Sequence, residues 1–248
     1  MSNANPPSLL SVLAAKAVQA QNTVVDLIRP ASPHPSSLKE LEEIVQRART
    51  RTDISDHLSI LFAEAMASQP RFIVELGVRT GESTFVLERV AKLCGSRIVS
   101  VDIDDCSKVS SNPNWIFVQS DDITFSEKFP DWCKERQLPL PIDLLFIDTS
   151  HLFEHTVQEI EHWFPLVSPR GKVIFHDTNQ KEIFWRKDGS FGLGWKNRGV
   201  IAAIEKYFGK QFNETEDFVD FVNGWLIRHN ANCNGFTVLT RLPVGPAA

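Results

Sequence analysis

"VELGVRTGEST", residues 74–84, decides the fold. It reads as the end of a buried strand, a glycine-punctuated turn and the start of a helix, with the carboxylate of Glu75 near the strand's end. Gly77 and Gly81 permit a tight turn and close backbone approach to a ligand. A dinucleotide-binding turn would read G-x-G-x-x-G and face a pyrophosphate. Here the run is Gly77-Val-Arg-Thr-Gly81, so the second glycine is missing and an acid precedes the turn. Such an acid repels a diphosphate and suits a cation.

From residue 71 onward, short β-rich runs alternate with helical patterns. The runs are "RFIVEL" (71–76), "RIVSVDI" (97–103), "NWIFVQS" (114–120), "IDLLFID" (142–148) and "GKVIFHD" (171–177). Helix-like stretches lie between them at 81–94, 124–136 and 151–165. Strand–helix repetition with near-continuous apolar strands predicts a parallel sheet covered on both faces. In the tail, "GVIAAIEKYF" (199–208) reads as a helix, and "FVDFVNGWLIRH" and "GFTVLTRL" read as two strands closing the sheet antiparallel. The segment 178–198 is long, aromatic and glycine-bearing, and such a loop beside strand ends is more often functional than idle.

Ahead of the sheet, "RPASPHPSS" (29–37) reads as a linker. One helix is expected before it, near 8–27, and two after it, near 38–50 and 54–68, with Ser37 and Asp53 as their caps. The apolar "LLSVLAAKAVQA" resembles a signal peptide, but it contains Lys16 and no basic segment precedes it, so it reads as an amphipathic helix.

The 248 residues suit one large domain or one domain with an appendage. At 42% apolar and 23% charged, the chain can bury a sizeable core. A net charge of −5 and the lack of a basic stripe argue against a nucleic-acid partner. Cys94, Cys106, Cys133 and Cys233 lack CxxC spacing, which argues against a zinc cage and for reduced thiols in a cytoplasm. No apolar run reaches the roughly 20 residues that span a membrane.

In a doubly wound sheet, ligands sit beyond the carboxyl ends of the strands, where strand order reverses. The turn after the first strand is such a point. S-adenosylmethionine carries an ammonium and a sulfonium charge and fits an acid-flanked turn. Asp102 ends the second strand, where a carboxylate can accept both ribose hydroxyl protons. Asp121 and Asp122 follow the third strand, placed for an adenine edge. The run "VELGVRTGEST…VSVDIDD…VQSDDI" resembles the class I S-adenosylmethionine-dependent methyltransferases over residues 70–240. The resemblance implies an α/β, doubly wound, Rossmann-like seven-stranded sheet with its last strand antiparallel. Residues 70–248 would form that domain and residues 1–69 an N-terminal helical extension, serving as lid or oligomer contact. The candidate cofactor contacts are Glu75, Gly77, Thr80, Gly81, Ser83, Asp102, Ile103, Ser120, Asp121, Asp122 and Asp148. An NAD-dependent enzyme and a purely structural turn are the competing readings.

A second constellation lies in "LLFIDTSHLFEHT" and "VIFHDTN". Asp148 and Asp177 each end an apolar strand, and neighbouring strands lie about 4.8 Å apart. Two carboxylates so placed repel unless protonated or bridged by a cation, and magnesium with waters and substrate hydroxyls would resolve this. Strand alternation would send His176 and Asp177 to opposite faces, but a strand end can turn, so His176 stays a candidate ligand, and Asn179 another. His151, three residues after Asp148, is a candidate general base; His155 and His162 read as a solvated face. Helix capping by Asp148 and Asp177 is the bland alternative.

"FIDTSH" followed by "VIFHDT" is similar to the metal-dependent sugar O-methyltransferases of macrolide and rhamnosyl type, and to cephalosporin hydroxylase-like proteins. That resemblance implies magnesium on Asp148 and Asp177, His151 as base, an acceptor with hydroxyl groups, and a homo-oligomer. Where several relatives carry a second carboxylate, this chain has His176. A metal-free methyltransferase with a nitrogen or carbon acceptor, and a non-catalytic cofactor-binding protein, remain open on the same fold.

Overall fold

The structure is a computed structural model that describes residues 35–186 and 188–242. The helix expected near 8–27 lies outside the described residues.

Helix α1 (Pro35–Arg47) begins inside the stretch read as linker, because proline is favoured in a first helical turn; Ser37 therefore falls within the helix rather than capping it. A 3₁₀ turn (Ser55–His57) leads into α2 (Leu58–Ser68). Asp53 caps neither; its carboxylate pairs with the Arg79 guanidinium.

The expected alternation follows. It comprises β1 (Phe72–Leu76), α3 (Glu82–Cys94), β2 (Arg97–Asp102), β3 (Trp115–Gln119), α4 (Asp122–Glu135), β4 (Ile142–Ile147), α5 (Phe153–Trp163) and β5 (Val167–His176). After β5 come a small hairpin of β6 (Ile183–Trp185) and β7 (Phe191–Leu193), then α6 (Gly199–Phe208) and strands β8 (Phe218–Val222), β9 (Trp225–Asn230) and β10 (Phe236–Arg241).

The main sheet runs β3-β2-β1-β4-β5-β10-β9-β8. Strands β1 to β5 pair in parallel, and β10 lies antiparallel to both β5 and β9. The α/β doubly wound architecture with an antiparallel closing strand is as expected, but the sheet has eight strands, not seven. "FVDFVNGWLIRH" is not one strand. It breaks at Asn223 and Gly224, both left-handed (φ 49° and 82°), and folds back as β8 and β9. Asn-Gly between alternating residues is the strongest short hairpin signal, and the single-strand reading passed over it.

The centre of the sheet is buried on both faces. Every residue of β1 is buried. Fully burying Ile73, Val74 or Leu76 contributes about 1.5–3 kcal/mol each. On one face α4, α5 and α6 pack through Phe125, Phe129, Trp163 and Ile204. On the other, α1, α2 and α3 pack through Ile44, Leu61, Leu87 and Val90. The residues of the N-terminal extension from Ile44 onward thus share a core with the sheet. Strand order reverses between β1 and β4, whose carboxyl ends lie side by side.

Candidate active site

At the end of β1 the chain needs glycine. Gly77 has φ +86°, and a Cβ there would sit 2.1 Å from the Asp148 carbonyl oxygen. The absence of a side chain lets β1 and β4 approach, with Asp148 N–H donating to Leu76 O at 2.9 Å. Asp102 straps the turn that follows: its carboxylate accepts from Val78 N (2.7 Å), Arg79 N (3.0 Å) and Asp104 N (2.9 Å). Gly77, Asp102, Ile103, Ser120, Asp121, Asp122 and Asp148 converge on one pocket of about 320 Å³ at the strand-order reversal. Asp121 also caps α4, accepting from Thr124 N at 2.8 Å, and this bond holds its carboxyl below the usual range.

Glu75, Thr80, Gly81 and Ser83 do not line that pocket. Strand alternation turns Glu75 under α3, where it is fully buried and accepts from Thr84 Oγ1 (2.9 Å) and Ser100 Oγ (2.5 Å). Burial pushes its carboxyl up to about 7 despite those bonds. Ser83 is buried and bonds to the same carboxyl, and Gly81 meets the Val109 side chain. Thr80 faces a second cleft.

His155, read from sequence as solvated, instead lines the first pocket. It pairs with Asp122 Oδ1 at 3.0 Å and lies 3.7 Å from Glu159. Glu159 is buried, accepts from Thr149 Oγ1 at 2.5 Å, and is pushed up to about 7 by burial. His162 is also engaged, 3.0 Å from Ser126 Oγ on α4. The His155–Glu159 spacing of four residues on one helix was the available signal.

The second constellation assembles at the ends of β4 and β5. His151 Nε2 lies 3.1 Å from Asp148 Oδ1 and 3.0 Å from Asp177 Oδ2. His176 Nδ1 lies 3.4 Å from Asp148 Oδ1 and 3.4 Å from Asp177 Oδ1. Alternation does not separate His176 from Asp177, because Asp177 takes a left-handed φ of 57° and turns its carboxylate back. His151 is left-handed too (φ 59°); non-glycine residues in this region are strained and cluster at functional sites. Asn179 does not join the cluster; its side-chain N–H donates to Ala231 O at 2.8 Å.

Burial disfavours a charged His151, but hydrogen bonds to Asp148 and Asp177 and their charges outweigh it and push the imidazole up to about 10. Burial likewise opposes charge on His176, and the same carboxylates raise it well above the ordinary value. Both acids are held low by the histidines against their own burial. Against both carboxylates, His151 holds a proton at neutral pH.

The cluster fits a divalent cation. One donor atom each from Asp148, His151 and Asp177 lies within 4.8 Å of the others. Asp177 Oδ1 and His176 Nδ1 are buried without a hydrogen-bond partner, a costly condition that a cation would relieve.

A larger cleft, about 700 Å³, opens on the other side of His151. Thr52 and Asp53 of the N-terminal segment wall it, with Arg79, Asp177, Gln180 and the β6–β7 hairpin opposite. The Gln180 amide lies 3.1 Å from His151 Nδ1. Arg186 of the hairpin donates to Thr52 O at 2.5 Å, and Arg51 pairs with Asp188 at 2.6 Å. Trp185 and Trp195 are 66% and 80% exposed, so neither is core. Sequence reasoning did not single out Thr52, Arg79 or Gln180, whose roles come from contacts distant in the chain. Arg79 and Thr149 line both clefts, which meet at the Asp148–His151 contact.

Residues 74–178 match the family model described as a methyltransferase domain. The uncharacterized protein y4gI of Sinorhizobium fredii (strain NBRC 101917 / NGR234) is 36% identical over 63 residues, which are 25% of this chain and 6% of that protein. Among solved structures, cofactor-bound Rv0187 from MTB is 16% identical with a TM-score of 0.51, covering 98% of this chain and 100% of that one. MycE methyltransferase from the mycinamycin biosynthetic pathway, in complex with Mg, SAH and mycinamycin VI, is 16% identical with a TM-score of 0.50; the match covers 82% of this chain. It covers 53% of MycE, about half that protein's length. At these identities the structural likeness speaks to fold.

Proposed function

We propose that the chain, whose residues 74–178 match a methyltransferase-domain model, is a class I S-adenosylmethionine-dependent methyltransferase that transfers the methyl group to a hydroxyl oxygen of a sugar or other natural-product small molecule, with Mg²⁺ at the acceptor. One observation carries the proposal: a donor-sized pocket and a larger cleft meet at a cluster of two carboxylates and two imidazoles. MycE, on the same fold, was solved with Mg, SAH and mycinamycin VI.

The sulfonium methyl is already activated, so the protein's task is alignment and preparation of the oxygen. Asp102 would take the ribose hydroxyls, and Asp121 and Asp122 the adenine edge, at the pocket that all three line. Asp148 and Asp177 would hold Mg²⁺, with His176 Nδ1 within reach. Mg²⁺ held there would supply Lewis acidity that lowers the pKa of an acceptor hydroxyl, and His151, placed against both carboxylates, would accept the hydroxyl's proton. Gln180 orients the His151 ring from its other nitrogen. Thr52 and Asp53 make the extension, residues 1–69, part of the acceptor wall, and the exposed Trp185 and Trp195 close over a bound acceptor and exclude water.

A homo-oligomer in a reducing cytoplasm completes the proposal; the four free thiols support the reducing setting. No helix among the described residues is long and apolar enough to cross a membrane.

A metal-free enzyme is the second reading, and one observation favours it: His151 Nε2 already lies 3.1 Å from Asp148 Oδ1 and 3.0 Å from Asp177 Oδ2, between both carboxylates. Labelled-methyl transfer from S-adenosylmethionine to a panel of glycosylated and polyhydroxylated acceptors, with and without EDTA, tests both. Transfer lost in EDTA and restored by Mg²⁺ is expected; EDTA-insensitive transfer removes the metal.

A further inference from the structure

His57 closes the 3₁₀ turn Ser55–His57 and is fully buried, its ring centroid 5.2 Å from that of Phe236. It belongs to the N-terminal extension, 119 residues from His176 in sequence, yet its Nδ1 sits 3.1 Å from His176 Nε2. The other nitrogen of His176, Nδ1, faces Asp148 and Asp177 at 3.4 Å each and has no hydrogen-bond partner.

A hydrogen bond between two imidazole nitrogens needs one N–H and one lone pair. With a neutral His176, only one arrangement leaves Nδ1 able to bind a cation: Nε2 carries the proton and His57 Nδ1 accepts it. Metal-ligating histidines are commonly fixed in this way, through a partner on the far nitrogen that sets tautomer and ring orientation.

Resting on the metal reading above, we infer that His57 is a positioning residue for the cation site. It accepts the Nε2–H of His176 and so aims His176 Nδ1, as a lone pair, at the cation held by Asp148 and Asp177. The third ligand of the site is then a histidine supported from outside the sheet, and the extension supplies part of the metal site as well as a wall of the acceptor cleft.

The test uses the full chain and Mn²⁺ alone as probe, with free Mn²⁺ followed by electron paramagnetic resonance. Asparagine places its amide oxygen about where Nδ1 lies, and glutamine about where Nε2 lies. His57→Asn should therefore keep Mn²⁺ affinity within about threefold, whereas His57→Gln and His57→Leu should lose about 10- to 100-fold. S-adenosylhomocysteine affinity should stay unchanged in each, which also reports an intact fold. In the Mg²⁺-saturated wild type, nitrogen-15 imidazole shifts should place the His176 proton on Nε2. Equal Mn²⁺ affinity for the Asn and Gln variants, or a Leu variant that binds Mn²⁺ as tightly as wild type, would overturn the role of His57. A wild-type chain that binds no Mn²⁺ would instead overturn the metal reading, and this inference with it. Should the Leu variant lose S-adenosylhomocysteine binding, the Asn/Gln contrast decides.

Discussion

On the smaller pocket's side of Asp148, the proposed donor side, the turn after β1 is shaped by backbone and held by one carboxylate. Gly77 lets two strands close together, and Asp102 gathers the N–H groups of Val78, Arg79 and Asp104. On the acceptor side the wall is charge. Each of two histidines lies 3.0–3.4 Å from each of two acids, and two of the four residues sit at left-handed φ. A turn shaped by backbone and strapped by one side chain is set before any ligand arrives. A charge-built one depends on what neutralises it, so the two sides should fail differently when altered.

The sharpest contrast comes from Asp177→Asn. Asp177 lines the larger cleft, the proposed acceptor side, and not the smaller pocket. Its loss should lower turnover by about 10²–10⁴-fold, the range for removing a proton-transfer or charge-stabilising group, with S-adenosylhomocysteine affinity unchanged. Steady-state kinetics beside calorimetry reads both. If turnover and cofactor affinity fell together, the two sides would not be separable.

Gly77→Ala strikes the other side. The new Cβ would meet the Asp148 carbonyl oxygen at 2.1 Å and would be strained at φ +86°. A cost of about 3 kcal/mol is expected, from left-handed strain plus forced separation of β1 and β4. Thermal unfolding should show it, together with lost cofactor binding. A variant of wild-type stability would mean that the two strands can part freely, and the donor side would not be the rigid one.

The same division governs what could be read from the sequence. Gly77, Asp102 and the acids after β3 announce themselves because glycine spacing and strand-end carboxylates are local signals, and the apolar runs of β1 to β5 are nearly continuous. The acceptor side depends on contacts that no local pattern carries. His57 meets His176 across 119 residues, and Arg186 meets Thr52 across 134. Alternation alone would separate His176 from Asp177; the left-handed turn that reunites them has no sequence marker, since aspartate at φ 57° is chosen by its surroundings. Asn223-Gly224 was a legible signal, and reading past it hid the eighth strand.

Glu75 sharpens the comparison from beneath the donor turn. Its carboxyl rises from an ordinary 4.5 to about 7 on folding, chiefly through burial. The folded state then holds a proton that the unfolded chain has released, so the stability contributed by this group is complete below pH 4.5 and is lost as pH rises through about 7. The loss is about 3 kcal/mol across that window, at up to 1.4 kcal/mol per pH unit. Glu159, also raised to about 7, adds in the same direction. Glu75→Gln should flatten the fall in denaturant-measured stability between pH 4.5 and 7 while leaving cofactor binding nearly intact. An unchanged pH profile would show that Glu75 is ionised in the fold, and a large loss of cofactor affinity would return it to the binding surface.

Asp102→Asn should give the smallest change and the finest discrimination. Oδ2 accepts from Val78 N and Arg79 N, while Oδ1 accepts from Asp104 N. An amide keeps one acceptor oxygen, and placing it on the turn preserves the strap to Val78 and Arg79. What it gives up is the charge, and with it the charge-assisted bonds to two ribose hydroxyls, which are stronger than neutral ones by roughly twofold. S-adenosylhomocysteine affinity should fall about 10-fold, or about 1.4 kcal/mol. Affinity for an analogue lacking both ribose hydroxyls should not fall further in the variant than in the wild type. Were the two ligands weakened equally by the substitution, Asp102 would act through the turn alone, and the donor pocket would owe nothing to side-chain charge.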